Sequence, residues 1–240
     1  MIIIPAVDIK NGKCVRLYQG KEDEETVYAE DPALMARRWE EEGAEYLHLV
    51  DLDGAFRGRP ENWEVVRRVK EKVRIPLELG GGIRSLESIE MVLAGGIERA
   101  VLGTRAAQSL RFLEEAFRNF RSRVVPSIDA REGDVVVRGW TAETGIRASA
   151  LGTDLVKIGF KLVIYTDTTV DGTLRGPAFG SIENFLDQTG LATIAAGGVA
   201  SPDDISRLKK LEGKGLAGVI IGKALYEGKM TLKRAIREAA

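Results

Sequence analysis

Short apolar runs rich in β-branched residues alternate along this chain with longer stretches whose apolar positions recur at helical spacing. The runs fall at 2–7, 46–51, 76–79, 99–102, 124–128, 162–166, 193–196 and 218–221. The helical patterns fall at 33–42, 63–71, 86–94, 110–120, 149–158, 182–189, 203–212 and 231–238. Asp31-Pro32 and Ser201-Pro202-Asp203 place a capping side chain ahead of a first-turn proline, and Gly43, Gly95 and Gly159 fit helix ends. The runs are apolar throughout rather than alternating, as expected of strands covered on both faces. Eight strands, each followed by a helix, predict an α/β fold of the (β/α)8 TIM-barrel type. An open doubly wound sheet should carry a glycine-rich turn after its first strand, and none stands there.

The pattern also repeats. Pro5-Ala6-Val7-Asp8 with Gly12 recurs as Pro126-Ser127-Ile128-Asp129 with Gly133. Val50-Asp51-Leu52 leading to Asp53-Gly54 recurs as Thr166-Asp167-Thr168 leading to Asp171-Gly172. Gly80-Gly81-Gly82-Ile83 recurs as Ala196-Gly197-Gly198-Val199, and Leu102-Gly103-Thr104 as Ile221-Gly222-Lys223. Landmarks in the same order imply two half-barrels, about 1–121 and 122–240, within one domain spanning 1–240. Each half alone would leave apolar edges uncovered. Two connections, 10–28 and 131–144, are long; both follow the acid-bearing strands, and each is expected to hold a hairpin and to act as a lid on the C-terminal rim.

Composition narrows the function classes. A chain of 240 residues with formal charge −1 offers no basic field for nucleic acid. Cys14 stands alone, which excludes an internal disulfide and fits a reducing compartment; no CxxC or HExxH spacing points to a metal. The opening apolar run is too short for a signal or a span. The expectation is a soluble, cytoplasmic, monomeric protein with neither membrane nor nucleic-acid partner.

The candidate chemistry sits where the repeats end. Asp8 and Asp129 close the first and fifth strands, on opposite sides of an eight-stranded barrel. Two carboxyl groups facing one cavity can divide proton work when their surroundings separate their pKa values; the alternative is that each caps its loop. The turns at Gly81-Gly82, Gly103-Thr104, Gly197-Gly198 and Gly222-Lys223 form two adjacent pairs, suited to cradling two phosphates on backbone N–H groups. Each alone would be an ordinary tight turn. Thr166 and Asp171-Gly172-Thr173 could bind a sugar, assist an acid or meet the nearby phosphate, or simply form a capped turn. Trp140 lies in a polar loop, where its ring suits a planar heterocycle. Arg16 and Arg84 lie in rim loops and could meet an anion. His48, between apolar strand neighbours, reads as a buried, hydrogen-bonded structural residue, and Trp39 and Trp63 as packing. The charged runs 21–25, 37–42 and 67–72 read as solvated faces.

With Val15-Arg16-Leu17, Leu49-Val50-Asp51-Leu52, Gly80-Gly81-Gly82-Ile83-Arg84-Ser85, Gly139-Trp140, Asp171-Gly172-Thr173-Leu174 and Gly218–Tyr226, the motifs resemble the phosphoribosylformimino-5-aminoimidazole carboxamide ribotide isomerase family of histidine biosynthesis over essentially the whole chain. The resemblance implies a cofactor-free aldose–ketose isomerisation, an Amadori rearrangement, of a small substrate with two phosphates. It places Asp8 as general base at C2 of the opened sugar and Asp129 at the general-acid position. Asp171 and Thr166 fall at further site positions, Trp140 on the heterocycle, and the glycine turns at the phosphates. Alternatives are a bifunctional isomerase that also takes phosphoribosylanthranilate, the sibling cyclase of imidazole glycerol phosphate synthase, and a non-enzymatic phosphosugar-binding barrel. The cyclase carries Cys before Leu-Asp, where this chain has Ala6.

Overall fold

A computed structural model describes residues 1–137, 139–140 and 142–240. Its strands are β1 (Ile2–Lys10), β2 (Lys13–Tyr18), β3 (Lys21–Ala29), β4 (Leu47–Asp51), β5 (Leu77–Gly80), β6 (Arg99–Leu102), β7 (Val124–Arg131), β8 (Asp134–Val137), β9 (Ala142–Arg147), β10 (Leu162–Asp167), β11 (Ala192–Ala196) and β12 (Leu216–Ile221). Eight of them close a parallel ring in the order β1-β4-β5-β6-β7-β10-β11-β12, with β12 returning to β1. The fold is therefore the (β/α)8 barrel expected from the alternating pattern. The seams β6–β7 and β12–β1 join the two repeats by the same ladder that joins strands within each.

The core has two parts. Inside the ring, Ile4, Ala6, Val101, Val125, Ile164, Ile194 and Ile220 form a small apolar plug. Outside it, the opposite faces of the strands pack under the helices; Leu47, Leu49, Leu77 and Leu79 are essentially fully buried there. Burial on both faces explains the unbroken apolar runs.

Helix starts follow the side chains that can cap them. Asp31 accepts from Ala33 N–H, while Ser85 and Ser201 each close a reciprocal capping box. The helices Leu86–Ala94 and Leu110–Phe120 have the expected bounds. The pattern at 203–212 stops earlier, with a helix Pro202–Lys209 followed by a 3-10 turn at Glu212–Lys214 and left-handed Gly215.

Both long connections contain hairpins, β2–β3 and β8–β9. They also lengthen their parent strands. β2 pairs antiparallel with the end of β1, Asp8 opposite Val15 and Ile9 opposite Cys14; β8 likewise pairs with β7, Ala130 opposite Val135. Asp8 and Asp129 thus lie within strands held on both edges, not at frayed ends. Among the described residues, no helix is long and apolar enough to cross a membrane.

Candidate active site

The C-terminal ends of the barrel strands enclose a cavity lined by side chains from both repeats. Asp8, Arg16, Gly81, Gly82, Arg84, Gly103, Thr104, Asp129, Trp140, Thr166, Asp171, Gly172, Gly197, Gly198, Gly222 and Lys223 all face it. Thr173 does not. Its hydroxyl donates to Val170 O at 2.6 Å and accepts from Arg175 N–H, so it is spent on its own turn.

The carboxyl groups are not equivalent. Asp8 is ion-paired with Arg16 Nη1 at 2.7 Å. Arg16, on β2, reaches inward over the Tyr226 ring at 4.9 Å and donates to Ala6 O. Tyr226 is in turn fixed by donating to Ala6 O at 2.9 Å and by contacts with Cys14 and Trp39. Among the described residues, Asp171 has no such ion-pair partner. Burial, reinforced by the charges of Asp8 and Asp129 and only partly offset by Arg16 and Lys223, raises its carboxyl to about 6. Burial also pushes Asp129 up, against hydrogen bonds from Trp140, Thr166 and Ser127. An ion-paired carboxylate and a carboxyl that keeps its proton up to about pH 6 therefore share one cavity, as acid–base chemistry requires.

The other repeated acids serve the scaffold. Asp51 accepts from the backbone of Gly54, Glu61 and Asn62 at 2.7–2.9 Å, and Asp53 accepts from Asn11 N–H at 2.6 Å. Asp167 accepts from Thr169 N–H at 3.0 Å. Asp53 and its counterpart Asp171 have thus diverged: one ties loops together and the other faces the cavity.

The glycine turns have two separate causes. Gly81 has φ +99°, and a Cβ there would collide with the Asp51 carbonyl; Gly197 has φ +98°, and its Cβ would lie 2.8 Å from Asp167 O. Glycine at these matched sites is thus demanded by backbone crossing alone. Gly103 and Gly222 instead precede two short helices, Thr104–Gln108 and Lys223–Tyr226, and neither receives a side-chain cap. The first turn of each helix lines the cavity, one per repeat. Sequence reasoning missed both helices, which are too short to show periodicity. Lys223 Nζ donates to Gly172 O at 3.0 Å and lies 5.4 Å over the Tyr18 ring, tying the two turns of the second repeat together. Arg84 donates to Ala55 O at 2.9 Å.

Trp140 is held at φ +67°, a costly conformation for a bulky residue, with its ring against Gly20 and a hydrogen bond to Asp129. Its loop neighbours Arg138 and Thr141 lie outside the described residues. His48 makes the expected hydrogen bond, Nδ1 to Glu78 Oε1 at 2.7 Å, but it also lines the cavity. Phe56, Arg105 and Ser127 line it too and were not anticipated. For Ser127 a signal existed, since residues 127 and 129 share one face of a strand. Phe56 and Arg105 sit in short helices with no pattern to read.

Comparison with known proteins agrees with this geometry. Residues 2–231 match the family model described as histidine biosynthesis protein. Similar proteins include those of Alkaliphilus metalliredigens, 45% identical over 97% of this chain and 97% of its own length, and Syntrophomonas wolfei, 45% identical over 100% and 98%. That of Moorella thermoacetica is 44% identical over 100% and 99%. All three are named 1-(5-phosphoribosyl)-5-((5-phosphoribosylamino)methylideneamino) imidazole-4-carboxamide isomerase. Agreement at that level along nearly the full length of both partners leaves no segment of the barrel unmatched, and the chain belongs to the histidine biosynthesis protein family.

Proposed function

We propose that the protein is the aldose–ketose isomerase its relatives are named for. It converts the aminoaldose end of a doubly phosphorylated ribosyl imidazole carboxamide to the aminoketose by an Amadori rearrangement. The observation that carries the reading is the pairing of ion-paired Asp8 with raised Asp171 across one cavity. Asp171 donates its proton to the ring oxygen as the C1–O bond breaks, giving an open, protonated imine. Asp8 then removes the proton from C2, and the electron pair moves toward the imine nitrogen to form an enolamine. Asp8 returns that proton to C1 while the C2 hydroxyl gives its proton back to Asp171, which completes the aminoketose and resets both carboxyl groups; atoms and electrons balance within the substrate, with no cofactor in any step. Family position assigns the acid to Asp129. The electrostatics favour Asp171 for that task, with Asp129, hydrogen-bonded to Thr166 and Trp140, holding the sugar.

The turns at Gly103-Thr104 and Gly222-Lys223, on opposite sides of the cavity rim, receive one phosphate each, with Arg84 and Gly81-Gly82 beside the first and Gly197-Gly198 beside the second. Trp140 leaves Asp129 to stack on the heterocycle. Because both halves contribute to the one cavity, the chain works as one domain. Turnover assays of one preparation with the histidine-pathway bisphosphate and with phosphoribosylanthranilate test the reading. Turnover of the first supports it, activity on both makes the enzyme bifunctional, and phosphate-ligand binding with no turnover of either refutes it.

A further inference from the structure

The two halves of the barrel interior are built on opposite principles. In the first repeat, His48, Glu78 and Arg99 are register neighbours on β4, β5 and β6. Glu78 is fully buried, accepts from His48 Nδ1 at 2.7 Å and is ion-paired with Arg99 Nη2 at 2.6 Å; Arg99 lies 4.2 Å over the Tyr46 ring. In the second repeat, the residues in the same register are Ile164, Ile194 and Gly218, and Ile2 occupies the space a side chain at 218 would need. The fold thus carries its own proof that this row can be apolar. A buried ion pair in such a place brings little stability over packed hydrophobic groups. The charged row runs from the closed end of the barrel to the floor of the cavity, where it ends in His48.

We infer that Glu78 and Arg99 are positioning residues. Arg99, always cationic, is held in an ion pair with one Glu78 oxygen; the other claims the Nδ1 proton of His48, which leaves Nε2 as a bare acceptor for a sugar hydroxyl on the cavity floor. The identity of that hydroxyl as part of a phosphosugar rests on the proposed function. His48 lines the same cavity as Asp129 and Thr166, on the strand next to Asp8. Glu78→Gln inverts the arrangement: Arg99 takes the amide oxygen, the NH2 group faces Nδ1, and the ring proton must move to Nε2. Glu78→Ile combined with Arg99→Met reproduces the apolar solution of the other half.

The chain contains one histidine, so the imidazole 15N spectrum reports His48 without assignment. The expected result at pH 7.5 is a protonated Nδ1 and a bare Nε2 in the parent, with the proton on Nε2 in Glu78→Gln. Ribose 5-phosphate should perturb Nε2 in the parent and not in the variant. For the bisphosphate substrate, kcat/KM should fall about ten- to hundred-fold in both variants, chiefly through KM, while Tm stays level or rises in the apolar double variant. Protonated Nε2 in the parent, silence toward ribose 5-phosphate, or unchanged KM in the double variant would overturn the assignment. The two spectroscopic readouts need no turnover, so they decide it even if the isomerase reading fails.

Discussion

The raised carboxyl of Asp171 makes a stability prediction that is separable from catalysis. Replacement by Asn keeps the shape and removes the charge. In the folded chain the Asp171 carboxyl titrates at about 6, against an ordinary value of 3.8. That gap corresponds to about 3 kcal/mol of preference for the neutral form. Below about pH 4 position 171 is neutral in parent and variant alike, folded or unfolded, and their Tm values should coincide. Between about pH 4 and 6 the unfolded carboxyl ionises while the folded one keeps its proton, so the parent loses stability relative to Asp171→Asn. Above about pH 6 the deficit is complete and constant. At about 2–4 °C per kcal/mol for a chain of this length, the variant should melt about 6–12 °C above the parent at pH 8. Calorimetric scans of both proteins from pH 4 to 8, at matched scan rate, measure the difference. A Tm gap that does not vary with pH, or a variant less stable at pH 8, would refute the electrostatic account. In the same samples, turnover should be severely reduced in Asp171→Asn, and kcat/KM of the parent should decline as pH rises past about 6, because the donor must carry its proton in the free enzyme.

Asp8→Asn should abolish turnover while phosphate-ligand affinity stays within a few-fold, measured by calorimetric titration; a near-normal kcat would remove Asp8 as base. Asp129→Asn should cost about two decades in kcat/KM and a rise in KM, whereas a ten-fold or smaller loss would reduce it to a loop-anchoring group. Product should alter tryptophan emission through Trp140, since Trp39 is buried behind the barrel wall. Trp140→Ala should remove that response and weaken binding, and a signal that survives the substitution would sink the stacking role.

Much of the scaffold was legible because burial on both faces leaves a simple mark, a continuous apolar strand followed by an amphipathic helix. The opposed acids were legible because the repeat doubled the signal at Asp8 and Asp129. What escaped were elements too short for a period. The helices Leu52–Arg57, Thr104–Gln108 and Lys223–Tyr226 span one or two turns, and two of them begin at the glycine turns on the cavity. The ends of β1 and β7 escaped as well, since pairing with a hairpin, not local propensity, carries them past their aspartates.

The sequence by itself determined the barrel, its alternating strands and helices, the repeated motifs and most of the candidate side chains on its rim. Periodicity, capping and glycine chemistry are local properties, and doubling made them readable. Only the tertiary structure decided what equal-looking residues do. Asp53 and Asp171 hold matching places in the repeat, yet one accepts from the Asn11 N–H and the Asn62 side chain and the other is kept near pKa 6 by burial and two neighbouring acids. Thr173 turned to its own loop, and His48, which reads as a packed residue, reached the cavity on a buried Glu–Arg pair. Charge state and orientation depend on which groups the closed barrel brings within a few ångströms, and those groups lie dozens to hundreds of residues apart in the chain.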